Sequence, residues 1–347
     1  MDIFFSESIF TDRSTKKKLL LNRLLELTSF HYSNCLEYRS LINSQGFDIE
    51  SMKDYVDIPF IHVKLFKKFD LMSIDESDIF KITTSSGTSG KAVSKIFLDL
   101  HTAKLQSKVL TSILKKYIPK RRPILVIDTK NTLSSRNNFS ARTAAVLGFS
   151  TFGRELTFAL DDDLTPNLER INEFYDRNKY QDVLIFGFTF LVFKFINVVK
   201  NLDFKSAILF HGGGWKKMLD EKVDKKRFNE LIKQSIGLST EVHDYYGMIE
   251  QTGSIYIECS EGYLHSTVFS EVLIRDTIDL SIAPFGKEGV VQVLSAIPNS
   301  YPGHSILTED IGIIHGIDDC KCGEKGTYFE ILGRLKSSEI RGCSDTL

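Results

Sequence analysis

Small hydroxylated side chains crowd into one short segment, TTSSGTSGK, at residues 83–91. Its glycines let the backbone wrap closely round an anion, the Ser and Thr hydroxyls donate hydrogen bonds, and Lys91 supplies positive charge. Only two residues separate the two glycines, so the segment is not a Walker A sequence, which has four. The pattern predicts a phosphate-binding loop, with a flexible Ser/Gly loop as the alternative. The residues predicted to bind phosphate are Ser85, Ser86, Gly87, Thr88, Ser89, Gly90 and Lys91.

The cysteines form a second group that could do chemistry. There are five, an odd number, and four lie at residue 259 or beyond, which is not typical of a secreted disulfide framework. Cys259 and His265 are followed by the pair Cys320 and Cys322, and three cysteines with one histidine form a complete tetrahedral ligand set for Zn²⁺. Such a closed set predicts a structural zinc site. Two unrelated pairs of buried thiols are the alternative.

The elements that must position these residues alternate between helix and strand over most of the chain. Apolar residues recur at helical spacing over residues 15–41, and buried-strand runs stand at residues 123–128 and 182–188. This alternation predicts a parallel sheet covered by helices. From residue 253 onwards, short alternating segments predict antiparallel β-structure.

We therefore expect an α/β protein with helix-covered, mostly parallel sheets and a smaller antiparallel β subdomain near the C-terminus. The predicted domains are an α/β core over residues 1–252 and a β-rich subdomain over residues 253–347, which would carry the zinc site and the C-terminal tail.

Charge and hydropathy exclude several classes of protein. The 44 Lys and Arg against 45 Asp and Glu leave a net charge of −1, without the basic excess of a nucleic-acid binder. The most apolar stretch, residues 183–199, contains Lys194 and is shorter than the ~20 residues of a spanning helix. No signal-peptide pattern follows Met1. We expect a soluble cytoplasmic protein that binds no nucleic acid and does not span a membrane.

Four ordered motifs resemble those of the adenylate-forming (acyl-AMP-forming) enzyme superfamily. SSGTSGK, at residues 85–91, resembles its phosphate-loop signature. The glycine turn at residues 212–214 follows the strand AILF, like the turn that borders the adenine. DYYGMIE, at residues 244–250, resembles the motif in which an aromatic residue contacts adenine and a glutamate approaches magnesium. Thr308-Glu309-Asp310 and Gly333-Arg334 resemble the ribose-binding aspartate and an arginine near the hinge.

This resemblance implies ATP and Mg²⁺ as cofactors and assigns roles to the matching residues. Glu250 would hold Mg²⁺, and Asp310 would accept hydrogen bonds from the ribose hydroxyls; a solvated surface carboxylate is the alternative for both. Thr88 belongs to the loop that would hold the leaving pyrophosphate, and Thr88 and Glu250 are the expected catalytic residues of adenylation. The other nucleotide-binding residues implied are Gly212, Gly213, Gly214, Asp244, Tyr245, Tyr246, Gly247, Met248 and Arg334.

Within the superfamily, the chain is most similar to the bioluminescence-type acyl-protein synthetases (LuxE-like). The similarity covers nearly the whole chain and includes the segments LFHGGGWKKM, SYPGHSILTEDIG and DDCKCGEKGTYFEILGR. Members of that family activate a fatty acid with ATP as acyl-AMP and take the acyl group onto a cysteine near the C-terminus. The resemblance implies a fatty acid or another carboxylate as substrate, and an acyl reductase or acyl carrier as partner.

Cys343, in the segment RGCSD, is the acyl acceptor that this resemblance implies. A thiolate is a strong nucleophile, and the neighbouring Arg341 favours the ionised form. An inert or buried thiol is the alternative from spacing alone.

Two departures from the superfamily pattern leave other functions open. Ala92 and Val93 stand where the loop normally continues into Pro-Lys, and the chain ends soon after Arg334. We therefore expect the mobile C-terminal domain with its catalytic lysine to be missing, and Lys336 or the tail itself to take its place. The alternatives are an acyl-CoA or phenylacetate-type CoA ligase and a non-catalytic acyl- or nucleotide-binding protein.

Overall fold

The computed structural model describes residues 1–46, 48, 51–85, 93–133, 139–215, 218 and 221–335. The α-helices within these residues are α1 (Asp2–Ser6), α2 (Arg13–Asn34), α3 (Leu36–Ser44), α4 (Leu100–Lys115), α5 (Ala141–Ser150), α6 (Leu168–Asn178), α7 (Thr189–Val198) and α8 (Lys225–Ile236). The β-strands are β1 (Ile61–His62), β2 (Lys81–Thr84), β3 (Lys95–Leu98), β4 (Arg122–Thr129), β5 (Phe139–Ser140), β6 (Gly153–Leu160), β7 (Asp182–Phe188), β8 (Ser206–Gly212), β9 (Glu241–Tyr246), β10 (Tyr256–Glu258), β11 (Leu264–His265), β12 (Ser270–Arg275), β13 (Gly289–Ser295), β14 (Ser305–Ile317) and β15 (Thr327–Arg334).

These elements group into two compact units. The first contains Met1–Ile113 together with the C-terminal strands that follow Gly247, and the second is Leu114–Tyr246. The N-terminal helices therefore share a unit with the C-terminal strands. The division into domains at residues 1–252 and 253–347 stays a prediction.

A parallel sheet forms the centre of the second unit, in the order β9-β8-β7-β4-β6. Strands buried on both faces read as continuous apolar runs, and every residue of β7 after the first is buried. Aromatic stacking adds to this core: the rings of Phe149 on α5 and Phe186 on β7 lie 4.2 Å apart between centroids. The predicted parallel, helix-covered sheet is confirmed.

The most apolar stretch of the sequence divides between strand β7 and helix α7, as predicted. Within α7, Leu191, Phe195 and Ile196 are each at most 1% exposed, so the helix packs into the core. Among the described residues, no helix is both long and apolar enough to cross a membrane.

The C-terminal strands of the first unit form a mainly antiparallel sheet, in the order β12-β13-β14-β15-β11-β10. The short strand β1 adds to it by pairing parallel with β14. A separate hairpin pairs β2 antiparallel with β3. The antiparallel structure predicted from residue 253 onwards is confirmed.

The helix predicted over residues 15–41 is instead two helices, separated at Cys35. Cys35 has extended backbone angles, with φ −124° and ψ 109°. The guanidinium of Arg39, on α3, donates hydrogen bonds to the carbonyl oxygens of Tyr32 and Ser33, at 2.8 and 2.6 Å. These bonds satisfy carbonyls at the end of α2 that have no partner within the helix. Uninterrupted helical periodicity does not reveal such a break.

A buried ion pair joins helix α2 to strand β12. Lys16 Nζ lies 2.8 Å from Glu271 Oε2, and the two side chains are 1% and 4% exposed. Lys16 also donates a hydrogen bond of 2.6 Å to Ser266 Oγ. A buried charge is tolerated only when it is paired and hydrogen-bonded, so each partner of this pair depends on the other.

We predict that Lys16→Met destabilises the protein by about 3–5 kcal/mol, because Glu271 keeps a buried charge without its partner. Lys17→Met is the matched control: Lys17, the next residue of α2, pairs with Asp54 but is 35% exposed, and we expect a loss of at most ~1 kcal/mol. Urea unfolding of both variants measures the difference. Equal destabilisation by the two substitutions would contradict the prediction.

Candidate functional site

The predicted phosphate loop connects β2 to β3, and its base is described. Ser85 N donates to the Ser94 carbonyl at 3.0 Å, and Ser94 N donates to Ser85 Oγ at 2.9 Å. This pair of bonds extends the β2–β3 hairpin to the point where the loop leaves it, as the strand–loop–strand prediction required. The rest of the predicted loop lies outside the described residues: Ser86, Gly87, Thr88, Ser89, Gly90 and Lys91.

The predicted glycine turn begins at the carboxyl end of β8, beside Tyr245 on β9. A Cβ added to Gly212 would lie 2.6 Å from the Tyr245 carbonyl oxygen and 2.8 Å from its ring, so only glycine fits there. Gly213 and Gly214 have φ of +83° and +71°, a region that side chains disfavour. The structure therefore brings the glycine turn together with Tyr245, one of the two tyrosines of the DYYGMIE motif. Ligands bind at this edge of open parallel sheets.

Asp244 lies next to Tyr245 on β9 and opposite His211 on β8. His211 Nδ1 is 3.5 Å from Asp244 Oδ1 and 3.1 Å from Thr189 Oγ1. The Asp244 side chain keeps 46% of its surface accessible. Burial by the surrounding protein nevertheless raises its pKa to about 7, and the charge of Lys225 opposes this rise. A carboxyl group in such a recess can exist protonated or ionised near neutral pH.

Glu250 stands on a 3₁₀ turn, Ile249–Gln251, whose three residues are all buried. Tyr301 OH donates to the Glu250 carbonyl oxygen at 2.9 Å. The Gln251 side-chain amide donates to the carbonyls of Val293 and Gly303, at 3.1 and 2.8 Å. The backbone around Glu250 is therefore fixed by β13 and by the segment that precedes β14.

Glu250 is 5% exposed as a whole residue, which excludes a solvated surface position. Burial raises its pKa, while the Ser94 hydroxyl and the charges of Lys67 and Arg334 act in the opposite direction. Burial disfavours the ionised form of this carboxyl group, and a bound cation would stabilise that form. Its donor chemistry fits Mg²⁺, a hard ion that takes carboxylate oxygens.

Asp310 and Arg334 are brought together by the pairing of β14 with β15. The two residues lie opposite each other in the ladder, and Arg334 Nε is 3.3 Å from Asp310 Oδ1. The Asp310 side chain is 15% exposed, and its backbone N–H donates to Thr308 Oγ1 at 3.0 Å. This geometry keeps an anionic acceptor at a fixed place on the strand.

The remaining residues of the DYYGMIE motif lie where the chain passes between the two units. Tyr246 ends β9, and Gly247 and Met248 follow it in the first unit. All three are half-buried. Their predicted role in nucleotide binding stays a prediction.

The structure also brings together Cys259, His265, Cys320 and Cys322. Their potential ligand atoms all lie within 4.8 Å of one another. Cys259 Sγ and Cys320 Sγ are 4.0 Å apart, and Cys322 Sγ is 3.5 Å from His265 Nε2. Cys343, the predicted acyl acceptor, lies outside the described residues, as does Lys336.

Two residues that support these sites, Ser94 and Thr189, lie outside the motifs recognised in the sequence. Ser94 is fully buried, and its hydroxyl partly offsets the rise that burial causes in the pKa of Glu250. Thr189 donates a hydrogen bond of 3.1 Å to the Gly212 carbonyl and also contacts His211. Two sequence signals could have identified them. Ser94 is a polar residue shortly after the loop, and Thr189 is a polar residue at the carboxyl end of a buried strand.

Comparison of the fold with solved structures identifies its class. An open conformation of 2-hydroxyisobutyryl-CoA ligase, in complex with 2-HIB-AMP and CoA, superposes with a TM-score of 0.72 and 15% identity, over 94% of this chain and 77% of that one. ATP-bound MatB from Rhodopseudomonas palustris superposes with a TM-score of 0.50 and 15% identity, over 77% of this chain and 50% of that one. The protein has the fold of the adenylate-forming ligases.

Comparison of the sequence identifies the family. The family model described as acyl-protein synthetase, LuxE, matches residues 2–347, so the chain belongs to this family. It is 23% identical over 343 residues to a long-chain-fatty-acid–luciferin-component ligase of Vibrio harveyi, covering 95% of this chain and 87% of the relative. A relative of the same name from Aliivibrio fischeri is 25% identical over 327 residues, covering 91% and 84%. The protein is a ligase of the adenylate-forming type.

Asp244 predicts a pH dependence of stability. Its pKa rises from 3.8 to about 7 on folding, so the folded protein keeps a proton that the unfolded chain releases between these values. The stability that protonated Asp244 contributes is fully present below pH 3.8 and is lost as the pH rises through about 7. Asn does not titrate, so the Asp244→Asn variant lacks this loss of stability. The free energy of unfolding of the variant, relative to that of wild type, should therefore rise between about pH 4 and pH 7.

Urea unfolding across this pH range measures the effect, with the exposed Asp162→Asn as control. Parallel pH profiles for wild type and Asp244→Asn would contradict the prediction.

Proposed function

We propose that this protein activates a fatty acid with ATP as acyl-AMP and then transfers the acyl group to the thiol of Cys343. The observation that carries the proposal is membership of the LuxE family over residues 2–347. The relatives' name, long-chain-fatty-acid–luciferin-component ligase, supports a long-chain fatty acid as the substrate. An acyl reductase or acyl carrier would receive the acyl group afterwards.

In the first step, a carboxylate oxygen of the fatty acid attacks the α-phosphorus of ATP. The bond to the β-phosphate oxygen breaks, and pyrophosphate leaves. This reaction needs positioning and neutralisation of charge more than it needs a protein nucleophile. Bound Mg²⁺ supplies neutralisation of phosphate charge, and Glu250 is the residue that would hold it.

Other residues would orient the nucleotide. Asp310 would accept hydrogen bonds from the ribose hydroxyls, and Arg334, 3.3 Å from it, would keep its carboxylate in place. The family resemblance assigns the adenine border to the Tyr245 ring and the backbone of Gly212. The loop that starts at Ser85, with Thr88 and Lys91, would hold the departing pyrophosphate.

In the second step, the Cys343 thiolate attacks the acyl carbonyl carbon, the bond to the AMP phosphate oxygen breaks, and AMP leaves as the thioester forms. Cysteine suits this step because its thiolate is strongly nucleophilic. Arg341 lies two residues before Cys343 in the sequence, and its charge would favour the thiolate.

We predict that Glu250→Gln lowers fatty-acid-dependent ATP–pyrophosphate exchange about 10²–10³-fold, because the uncharged amide removes the carboxylate ligand offered to Mg²⁺. Thermal unfolding in the absence of nucleotide checks that the variant is folded. Glu230→Gln, at an exposed position on α8, should exchange at the wild-type rate. Undiminished exchange by Glu250→Gln would contradict the proposed role of Glu250. If wild type catalysed no exchange with a fatty acid of any chain length, the proposed adenylation itself would be contradicted.

We predict that Cys343→Ser abolishes thioester labelling but keeps ATP–pyrophosphate exchange, because it removes only the acceptor. Radiolabelled fatty acid and ATP should leave hydroxylamine-sensitive label on wild type. Cys35→Ser is the matched control, since Cys35 is a free, buried cysteine. Label retained on Cys343→Ser, or acyl-CoA formed in its place when CoA is added, would refute Cys343 as the acceptor.

A further inference from the structure

Three thiols and one imidazole of the first unit have no part in the proposed adenylation, yet their potential ligand atoms lie within 4.8 Å of one another. Cys259 follows β10, and His265 lies on β11, its hairpin partner. Cys320 and Cys322 lie in the turn that joins β14 to β15. Because β11 pairs with β15, with His265 opposite Tyr328, the two turns are brought side by side.

We propose that these four residues bind one Zn²⁺ in a closed tetrahedral site, which clamps the β14–β15 turn to the β10–β11 hairpin. Zn–S bonds of ~2.3 Å and Zn–N bonds of ~2.0–2.1 Å at tetrahedral angles place two sulfur atoms ~3.8 Å apart, and a sulfur and a nitrogen ~3.6 Å apart. The corresponding distances are 4.0 Å between Cys259 Sγ and Cys320 Sγ, and 3.5 Å between Cys322 Sγ and His265 Nε2.

The imidazole of His265 is the observation that points most directly to a metal. His265 is 1% exposed, and its Nδ1 has no hydrogen-bond partner among the described residues. Its Nε2 faces the Cys322 thiol. A thiol is a weak hydrogen-bonding partner for so buried a ring, and coordination of Nε2 to Zn²⁺ would replace that contact with a stronger interaction.

The surrounding residues orient the ligands before a metal binds. The His265 ring stacks on Tyr328, with centroids 5.8 Å apart, and meets Phe10 edge-on at 5.7 Å. The backbone N–H of Glu324 donates to Cys322 Sγ at 3.4 Å, which fixes the position of the sulfur atom in the turn. The N–H of Gly323 closes the turn by donating to the Cys320 carbonyl at 3.0 Å.

A disulfide is the competing chemistry for these thiols. All three cysteines of the cluster are free, and the 4.0 Å between Cys259 Sγ and Cys320 Sγ is about twice the length of a disulfide bond, 2.03–2.05 Å. Closure of a disulfide would leave Cys322 and His265 without a shared partner. The four groups together match a metal better than they match a crosslink.

Metal analysis of the full-length, freshly purified protein tests the site. We expect about one zinc per chain after extensive dialysis, and less than a tenth of that in Cys322→Ser and His265→Ala. The matched control Cys35→Ser, a buried cysteine outside the cluster, should keep its zinc. Chelation should lower the thermal midpoint of wild type by at least ~5 °C, because binding free energy contributes to folding.

Cobalt substitution keeps the proposal testable if the ligand variants do not fold. Reconstitution of chelated wild type with Co²⁺ should give the intense visible absorption of a tetrahedral site and a sulfur-to-metal charge-transfer band. An absence of metal in fresh protein, a Cys259–Cys320 disulfide found by mass spectrometry, or an octahedral cobalt spectrum would each overturn the proposal.

Discussion

The backbone register of β14 is the constraint on which much of the first unit depends. This strand has thirteen residues and pairs with β13, β15 and β1. Because each ladder permits one register wherever a face is buried, the pairing that sets Asp310 opposite Arg334 also sets where the β14–β15 turn lies. One end of the hairpin therefore carries Asp310, the predicted ribose-binding residue, with Arg334 opposite it, and the other end carries Cys320 and Cys322.

The buried charges of this protein fall into two kinds. Lys16 with Glu271, and Arg142 with Asp128, are close ion pairs whose members are all under 10% exposed. In these pairs, each charge offsets the burial cost of the other. Glu250 differs, because burial dominates its environment and raises its pKa. Carboxyl groups with shifted pKa values cluster at functional sites, which supports the proposed role of Glu250.

Local patterns in the sequence predicted those parts of the fold that depend on nearby residues. The alternation of helix and strand predicted the parallel sheet of the second unit, and the Ser/Gly segment was placed correctly between two strands. The break at Cys35 was missed, because Arg39 stabilises the end of α2 through side-chain bonds that leave no trace in the apolar periodicity. Thr189 was missed for a similar reason, since its partners on β8 are 22 and 23 residues away.

The sequence by itself determined the types of chemistry available: a hydroxyl-rich glycine loop, acidic residues in ordered motifs, and three cysteines with one histidine. Tertiary structure decided which of these groups meet. Cys259 and Cys320 are 61 residues apart in the chain, and Lys16 and Ser266 are 250 apart, so no local period connects them. Only strand order and register bring such residues within bonding distance, because both arise from the packing of the whole sheet rather than from any one segment.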